Sequence, residues 1–378
     1  MGQERTEELL KLLPERRTHK ANFSNIAFFN TAVSNPPYQM TSTSNKAQEG
    51  RDTEVSNIFH FFYEISTLIT EYSTMIFPGG RWIQRSHGNN HIAELIFKTV
   101  SAIQWFPNGE ENNIQPVFDN VAISDGVSIV FFDRKVQASS EIIMNGTKIS
   151  RPKDKEIVPL TAEAISIVSL FRKLPSLNSR KVETNVFKLG TNWVEQNIDQ
   201  VREYDEKTTV LQDDEIIAYL GNATPGKNKR VQKYALKKNN VIWNERTEKI
   251  YSSWKLVCSQ GQVSKRPATS SYRIVEKDTI IGSSWLILGF FDTYEETVNY
   301  KKYIDTDFVR FLIEQSRGGK SGKWGVFVPD LLNYKATNNN INWNKDITEQ
   351  LFEYFNFTSS QKNTINSLKF QWKDRTTV

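Results

Sequence analysis

The tetrapeptide Asn35-Pro36-Pro37-Tyr38 follows an apolar segment without a break. Residues 25–34 read NIAFFNTAVS, a run that predicts a strand. Proline lacks a backbone N–H and fixes φ at about −65°, so a strand cannot continue through two of them. The sequence therefore predicts a strand that ends in a stiff turn, with an asparagine carboxamide and a tyrosine ring fixed just beyond it.

The spacing of apolar residues after the tetrapeptide changes between helical and strand periods. It predicts, in order, a helix over 58–69, a strand over 72–77, a helix over 90–99, and strands over 100–106 and 127–132. Strand, helix, strand, helix, strand is the order of a doubly wound α/β sheet. We therefore predict the α/β fold class for this part of the chain.

The character of the chain changes near Arg151. From there to about residue 345, short aromatic and β-branched runs are separated by Gly, Pro, Asn and Lys; the runs are 185–189, 208–212, 241–244, 285–289 and 324–328. Two helices, 293–304 and 307–315, interrupt them, and a last helical stretch covers about 347–369. The predicted regions are 1–150, a mixed α+β region 151–345 and a helical segment 346–378.

Composition excludes several classes of protein. Hydrophobic residues make up 38% of the 378 residues, which is typical of a folded chain, and the single Cys258 excludes an intramolecular disulfide. No stretch resembles a signal peptide or a membrane span, so we expect a cytoplasmic protein without membrane contact. His60, His87 and His91 lack well-placed carboxylates or cysteines and favour structural roles, so no metal site is predicted.

Asn-Pro-Pro-Tyr has a specific chemical use. The side-chain oxygen of Asn35 and the carbonyl of Pro36 can accept both hydrogens of an amino group on a nucleic-acid base. The nitrogen lone pair is then directed at an incoming methyl group, and oriented dipoles stabilise the charge that develops. Such a base must leave the duplex, and the Tyr38 ring can stack on it. The alternative is a Pro-Pro turn that only ends a strand, with Asn as an ordinary turn residue.

The segments NTAVSNPPYQ and STMIFPGGRW resemble the gamma-type adenine DNA methyltransferases, in particular the large fused restriction-modification enzymes. This resemblance implies a partial Rossmann-like methyltransferase sheet in 1–150, a DNA target-recognition region in 151–345, and Asn35, Pro36, Pro37 and Tyr38 as catalytic residues. It implies S-adenosylmethionine as cofactor and double-stranded DNA as partner. VFDNVAISDGVSIVFF matches the segment that supplies a second stacking aromatic, so Phe118 is the candidate, with an ordinary core or loop aromatic as the alternative.

One part of the family pattern is missing. Members bind the cofactor with a glycine-rich turn and an acid that precede the tetrapeptide by far more than the 34 residues present here, and no Phe-x-Gly-x-Gly occurs upstream. Cofactor-binding residues are therefore not identified. If the family sheet order holds, the strand before Asn35 becomes an apolar exposed edge. The missing half would come from another polypeptide or an N-terminal segment of a longer enzyme, or the chain is a decayed copy that binds DNA.

A basic patch lies between residues 221 and 244, where six cations occur without an acid. Its members are Lys227, Lys229, Arg230, Lys233, Lys237 and Lys238. Their spacing suits phosphate contacts that position a duplex, although lysines also coat ordinary solvated loops and strands. The net charge of +5 is compatible with either interpretation.

Two other functions stay open. The chain could be a DNA-binding specificity subunit without catalysis, in which case Asn35→Ala would leave all activity unchanged. A nuclease is the weaker alternative, because Asp154-Lys155-Glu156 has the wrong arrangement for a metal-binding set.

Overall fold

The computed structural model describes residues 29–41, 55–85, 89–107, 126–152, 158–159, 161–183, 185–189, 197–220, 233–260, 272–316, 324–337 and 340–367. The predicted α/β class is confirmed, because helices pack against mixed sheets throughout these residues.

A six-stranded mixed sheet occupies the first part of the chain. The elements there are β1 (Phe29–Ser34), β2 (Gln39–Thr41), β3 (Val55–Asn57), α1 (Phe59–Ile69), β4 (Thr70–Pro78), α2 (Gly80–Ile83), α3 (Asn90–Phe97), β5 (Ala102–Phe106), β6 (Val127–Asp133), β7 (Glu141–Met144) and β8 (Thr147–Ser150). The strand order is β1-β4-β6-β5-β7-β8, and β2 and β3 form a separate antiparallel ribbon.

The strands β1 and β4 are parallel and are connected through α1. Thr31 is in register with Tyr72, and Ser34 with Met75. A parallel pair needs a crossover, and the helix supplies it. The predicted strand–helix–strand order is confirmed, with ends that differ by a few residues. The later strand β6 lies between β4 and β5 and is antiparallel to both.

The helices of this part contribute to one buried cluster, which we call the N-terminal core. It contains Phe59 and Tyr63 from α1, Ile92 and Ile96 from α3, and Met75 and Phe77 from β4. Side chains alternate across a sheet, so the residues between these strand positions lie on the opposite side, which we call the open face.

Strand β1 lies at an edge of the six-stranded sheet among the described residues. Phe29 is 61% exposed and Val33 is 79% exposed, and Tyr72, the register partner of Thr31, is 39% exposed. The three side chains share the open face, because alternate residues of a strand point the same way. The edge is therefore apolar as well as unpaired within the described ranges.

The second part of the chain is mixed α+β, as predicted for residues 151–345. Its elements are α4 (Ala162–Ser169), β9 (Val201–Glu203), β10 (Glu215–Tyr219), β11 (Lys233–Lys237), α5 (Glu245–Tyr251), β12 (Trp254–Ser259), β13 (Tyr272–Val275), β14 (Thr279–Ile281), β15 (Trp285–Phe291), α6 (Tyr294–Ile304), α7 (Asp307–Glu314), α8 (Ile347–Tyr354) and α9 (Ser359–Ser367). Short 3-10 turns occur at Leu177–Ser179, Ile198–Gln200 and Lys238–Asn240.

Two sheets belong to this part, with orders β14-β10-β11-β9 and β13-β12-β15. The predicted helices near 293–304 and 307–315 are present as α6 and α7. Thr293 and Thr306 begin them, because each side-chain oxygen accepts a bond from a first-turn N–H. Helices α8 and α9 pack into the same buried cluster as α6 and α7.

The five apolar runs behave differently from one another. The run 285–289 lies in β15, whereas the other four run mainly through turns and irregular segments. Phe187 and Trp324 in these turns are fully buried, so tertiary packing uses their apolar side chains without making strands. Within the described residues, no helix has the length and apolar character that a membrane crossing requires.

Candidate active site

The tetrapeptide begins directly after β1, where the parallel strands β1 and β4 have their carboxyl ends. Residues 35–38 have no regular secondary structure. Pro36 is buried, Tyr38 is half-buried, and Asn35 and Pro37 are exposed. Carboxyl ends of parallel strands are where open α/β sheets bind ligands, so the position suits a site.

Two hydrogen bonds fix the chain after the tetrapeptide. The carbonyl of Tyr38 accepts a bond of 3.1 Å from the backbone N–H of Ile58, just before α1. Strand β3 is held in turn by Asn57, whose Nδ2 donates 2.9 Å to Oδ1 of the buried Asn89. The segment that leaves the tetrapeptide is therefore attached to the starts of α1 and α3.

The Tyr38 ring packs against the N-terminal core. Burial raises the pKa of its hydroxyl above the ordinary value, so the side chain is a neutral phenol near pH 7. One part of the ring is packed and another part is open to solvent. This is the exposure that a stacking platform needs.

The carboxamide of Asn35 is exposed and makes no hydrogen bond to any described residue. It does not cap α1, whose first flanking residue is Ile58. A buried amide or one engaged in a helix cap could not receive a base. The structure therefore leaves the carboxamide oxygen available to a ligand, as far as the described residues show.

Two glycines near the carboxyl end of β4 allow neighbouring backbone segments to pack closely. The N–H of Gly79 donates 2.9 Å to the carbonyl of Gly126. A Cβ on Gly79 would lie 2.8 Å from the backbone of Val127, and one on Gly126 would lie 2.2 Å from the carbonyl oxygen of Phe106. Both spaces are filled by protein backbone, so they do not form a cradle for a cofactor. These two glycines therefore do not supply a binding surface for S-adenosylmethionine.

Several predicted site residues lie outside the described ranges. They are Phe118, Lys227, Lys229 and Arg230. Their roles stay predictions from the sequence.

The described members of the basic patch make local contacts. Lys233 donates to Glu206 and, at 2.8 Å, to Glu276. Burial acts to lower the pKa of Lys233, but the two glutamates outweigh it and raise the pKa. The ammonium is therefore charged and has two carboxylate partners.

The two remaining lysines are more exposed. Lys237 lies 3.3 Å from a carboxylate oxygen of Asp214. Lys238 donates 3.3 Å to the carbonyl of Asp213. Of the three described patch lysines, Lys238 has no carboxylate partner among the described residues.

Two of the three histidines His60, His87 and His91 contact each other, and His87 lies outside the described residues. His60 and His91 are in edge contact, with ring centroids 5.5 Å apart. Among the described residues, no group of three or more His, Cys, Asp or Glu side chains is arranged to hold a metal ion.

A second basic segment was not singled out from the sequence. Residues 170–181 carry four cations and no acid, and the signal was visible as an acid-free run. Its members are Arg172, Lys173, Arg180 and Lys181. Leu and Pro lie between these charges, so the segment is less obviously basic in the sequence than residues 221–244.

No protein-family model matches the sequence, and no curated protein matches it either. Among solved structures, the chain is similar to the ATP-dependent Type ISP restriction-modification enzyme LlaBIII bound to DNA, at 11% identity and a TM-score of 0.28, over 68% of this chain and 24% of that one. The Type IIL restriction-modification enzyme MmeI in complex with DNA gives 9% identity and a TM-score of 0.33, over 82% of this chain and 48% of that one.

A nuclease-deletion mutant of the Type ISP restriction-modification enzyme LlaGI, in complex with a DNA substrate mimic, gives 13% identity and a TM-score of 0.30, over 77% of this chain and 32% of that one. The chain thus spans between about a quarter and a half of the length of these structures. At these values the likeness assigns neither fold nor function, and a functional proposal depends on the residues of this chain.

Proposed function

We propose that this chain is the catalytic part of an N6-adenine DNA methyltransferase in a restriction-modification system. The observation that carries the proposal is the Asn35 carboxamide, exposed and unpaired among the described residues, at the carboxyl end of a strand that is parallel to its neighbour. Pro36 beside it is buried, so the backbone that presents the carboxamide is held by packing.

The residues of this chain would bind and orient the target base. An adenine amino group is a poor nucleophile because its lone pair is delocalised into the ring. The Asn35 side-chain oxygen and the Pro36 carbonyl would accept its two hydrogens, which favours the geometry with a localised lone pair. The half-buried Tyr38 ring would stack on one face of the flipped base, and Phe118 is the candidate for the other face.

The cofactor in this proposal is S-adenosylmethionine, which supplies an electrophilic methyl group. Because the glycines at the sheet edge are filled by backbone, we expect the cofactor to be held by residues other than those described here. A second polypeptide that adds a strand beside β1 would satisfy the unpaired edge and cover Phe29 and Val33. The same partner would bring the cofactor residues next to Asn35.

The test is a methyl-transfer assay with labelled S-adenosylmethionine and mixed-sequence duplex DNA. The chain is assayed alone and together with the products of neighbouring genes. Transfer should require the tetrapeptide, so Asn35→Ala should lose at least about 100-fold in rate, the usual effect of removing one oriented dipole. Asn30→Ala, an exposed asparagine of β1 that lies outside the tetrapeptide, is the matched control and should keep the activity.

The outcomes separate the alternatives. Transfer in the mixture but not by the chain alone supports a split enzyme, and transfer by the chain alone places the cofactor site within it. If DNA binds under all conditions without transfer, and Asn35→Ala changes nothing, the chain is a specificity subunit and the proposal is wrong.

A further inference from the structure

Leu332 has a backbone conformation that leucine rarely adopts. Its φ is 66°, and its side chain is 64% exposed. The N–H of Asn333 donates 2.8 Å to the carbonyl of Leu331, which closes a three-residue turn with Leu332 at its centre. Turns of this kind with positive φ are strained, and a Cβ makes the strain worse.

Neighbouring side chains hold this strained turn in place. The N–H of Leu332 donates 2.9 Å to Oδ1 of Asp330, and Nη2 of Arg180 donates 3.0 Å to the Leu332 carbonyl. Asp330 is buried, and it accepts from Nε of Arg180 at 2.6 Å and from the Tyr334 hydroxyl at 3.0 Å. We call residues 330–334 the Leu332 turn.

Rigid support of an outward-pointing leucine calls for an explanation. Strain costs about 1–3 kcal/mol and persists only where the surroundings over-determine it. In water, an exposed leucine contributes nothing that asparagine or glycine would not, and either would fit a positive φ more easily. The supported backbone therefore presents an apolar side chain to solvent, which is the arrangement expected of a preorganised contact residue.

The charge around the Leu332 turn indicates what kind of partner it is. The turn lies against residues 170–181, since the Asp330 N–H donates 2.7 Å to the carbonyl of Pro175. Arg172 and Lys173 in that segment are exposed, and no ion pair joins them to a described residue. Asp330, the acid within the turn, already has its ion pair with Arg180. The segment that the turn lies against is therefore basic, and the acid of the turn is already paired.

The position of this surface connects it to the candidate active site. Arg172 and Leu174 line a groove of about 180 Å³ together with Pro159. The preceding residue, Val158, accepts a bond of 2.9 Å from Gln84 at the end of α2. Helix α2 directly follows β4, at the same end of the parallel strands as the tetrapeptide. The groove and the end of α2 are therefore connected through Gln84 and Val158.

We propose that Leu332, Arg172 and Lys173 form a contact surface for double-stranded DNA, in which the cations bind phosphates and the leucine side chain inserts between two base steps. The proposal rests on the proposed function for DNA as the ligand. Insertion of an apolar side chain unstacks a step and costs a few kcal/mol, which is recovered when the bent duplex covers more protein surface. Because hydrogen bonds already fix the backbone of the turn, presenting the leucine costs little further backbone entropy.

The test compares Leu332→Asn with the wild-type chain in DNA binding, without methyl donor. Asparagine tolerates positive φ, so the variant should fold, and its melting temperature should equal or exceed that of the wild type. Its affinity for mixed-sequence duplex should fall about tenfold. The wild-type chain should raise the fluorescence of duplexes that contain 2-aminopurine, because unstacking of the base increases its emission. Leu332→Asn should not produce this rise. Val210→Asn, another exposed aliphatic residue (83%), is the matched control and should change neither readout.

The cations are tested by the double variant Arg172→Gln/Lys173→Gln. It should lower the salt slope of binding by about two units, because each phosphate contact contributes about 0.9. The exposed pair Lys249→Gln/Lys345→Gln serves as control.

The inference is wrong if folded Leu332→Asn binds and unstacks DNA like the wild type, or if the double variant keeps the full salt slope. The inference would also be overturned if the chain captured a protein partner instead of DNA and Leu332→Asn impaired only that capture. Because binding is measured without methyl transfer, these failures are distinct from failure of the proposed function, which would appear as no transfer under any condition, including the mixture, and no effect of Asn35→Ala.

Discussion

Gln84 donates a hydrogen bond of 2.9 Å from Nε2 to the carbonyl oxygen of Val158. The bond joins the end of α2 to Val158, near the start of the second part of the chain. Helix α2 follows the carboxyl end of β4, next to which the tetrapeptide begins. Gln84 is 2% exposed, so water does not replace this contact. The bond connects the end of α2 with Val158, which precedes Pro159 in the groove lined by Arg172 and Leu174.

Replacing Gln84 by Leu should lower the free energy of unfolding by about 1–3 kcal/mol. The buried carbonyl of Val158 would lose its partner, and an unsatisfied buried acceptor carries that cost. Denaturant unfolding measures the change. Gln212→Leu, at an exposed position, should stay within about 0.5 kcal/mol, and an equal loss in both variants would contradict the interpretation.

Tyr38→Ala should reduce methyl transfer by about one to two orders of magnitude, whereas Tyr38→Phe should keep most of it. Base stacking on an aromatic ring contributes about 1–3 kcal/mol, and the phenylalanine ring preserves it. Tyr354→Ala, at an exposed tyrosine of α8, is the matched control. Equal losses in Tyr38→Phe and Tyr38→Ala would show that the hydroxyl matters and not the ring.

Val33→Lys should leave the chain folded and still impair the activity of the mixture with its partner. Val33 is 79% exposed on β1, so a lysine there meets solvent in the free chain and costs little stability. In an assembly that covers the edge, the charge would be buried or would displace the partner. Thermal unfolding and methyl transfer by the mixture are measured together. The idea fails if Val33→Lys and the control Val210→Lys support equal transfer.

Lys255 should make the stability depend on pH. It is fully buried and donates to the carbonyls of Ile250, Tyr251 and Ser253. Burial lowers its pKa to about 7, against the opposing charges of Asp278 and Glu276. Above pH 7 the folded state releases a proton that the unfolded state keeps until its ordinary pKa of 10.5.

The free energy of unfolding should therefore gain a contribution from Lys255 as pH rises from about 7 toward 10.5, with a slope of at most about 1.4 kcal/mol per pH unit. Lys255→Met should remove this contribution from the slope, whatever its effect on absolute stability. Urea unfolding at several pH values measures both chains. A slope that is the same in both would mean that Lys255 stays charged in the fold.

Lys233→Gln should lower the salt slope of DNA binding by less than Lys238→Gln. Lys233 has two carboxylate partners in the free protein, so a phosphate must compete with them. Lys238 contacts a carbonyl, and its charge is not neutralised by that contact. Removing a phosphate contact lowers the slope by about 0.9. Equal decreases would show that the glutamates release Lys233 when DNA binds.

Local signals in the sequence were sufficient to predict the elements around the tetrapeptide. The run before Asn35, the helical spacing up to Ile69 and the threonines at the starts of α6 and α7 are local signals, because periodicity and capping act within a few residues. The chemistry expected of Asn35 was also readable, since the prolines limit the backbone wherever they occur.

Strand pairing and the availability of individual charges depend instead on long-range contacts in the folded chain. The position of β6 between β4 and β5, and the pairing of Lys233 with Glu206 and Glu276, join residues far apart in the chain. The strained turn at Leu332 depends on Arg180, about 150 residues away. Local preferences contain no information on such contacts, because the energy that selects them comes from packing and burial in the assembled fold.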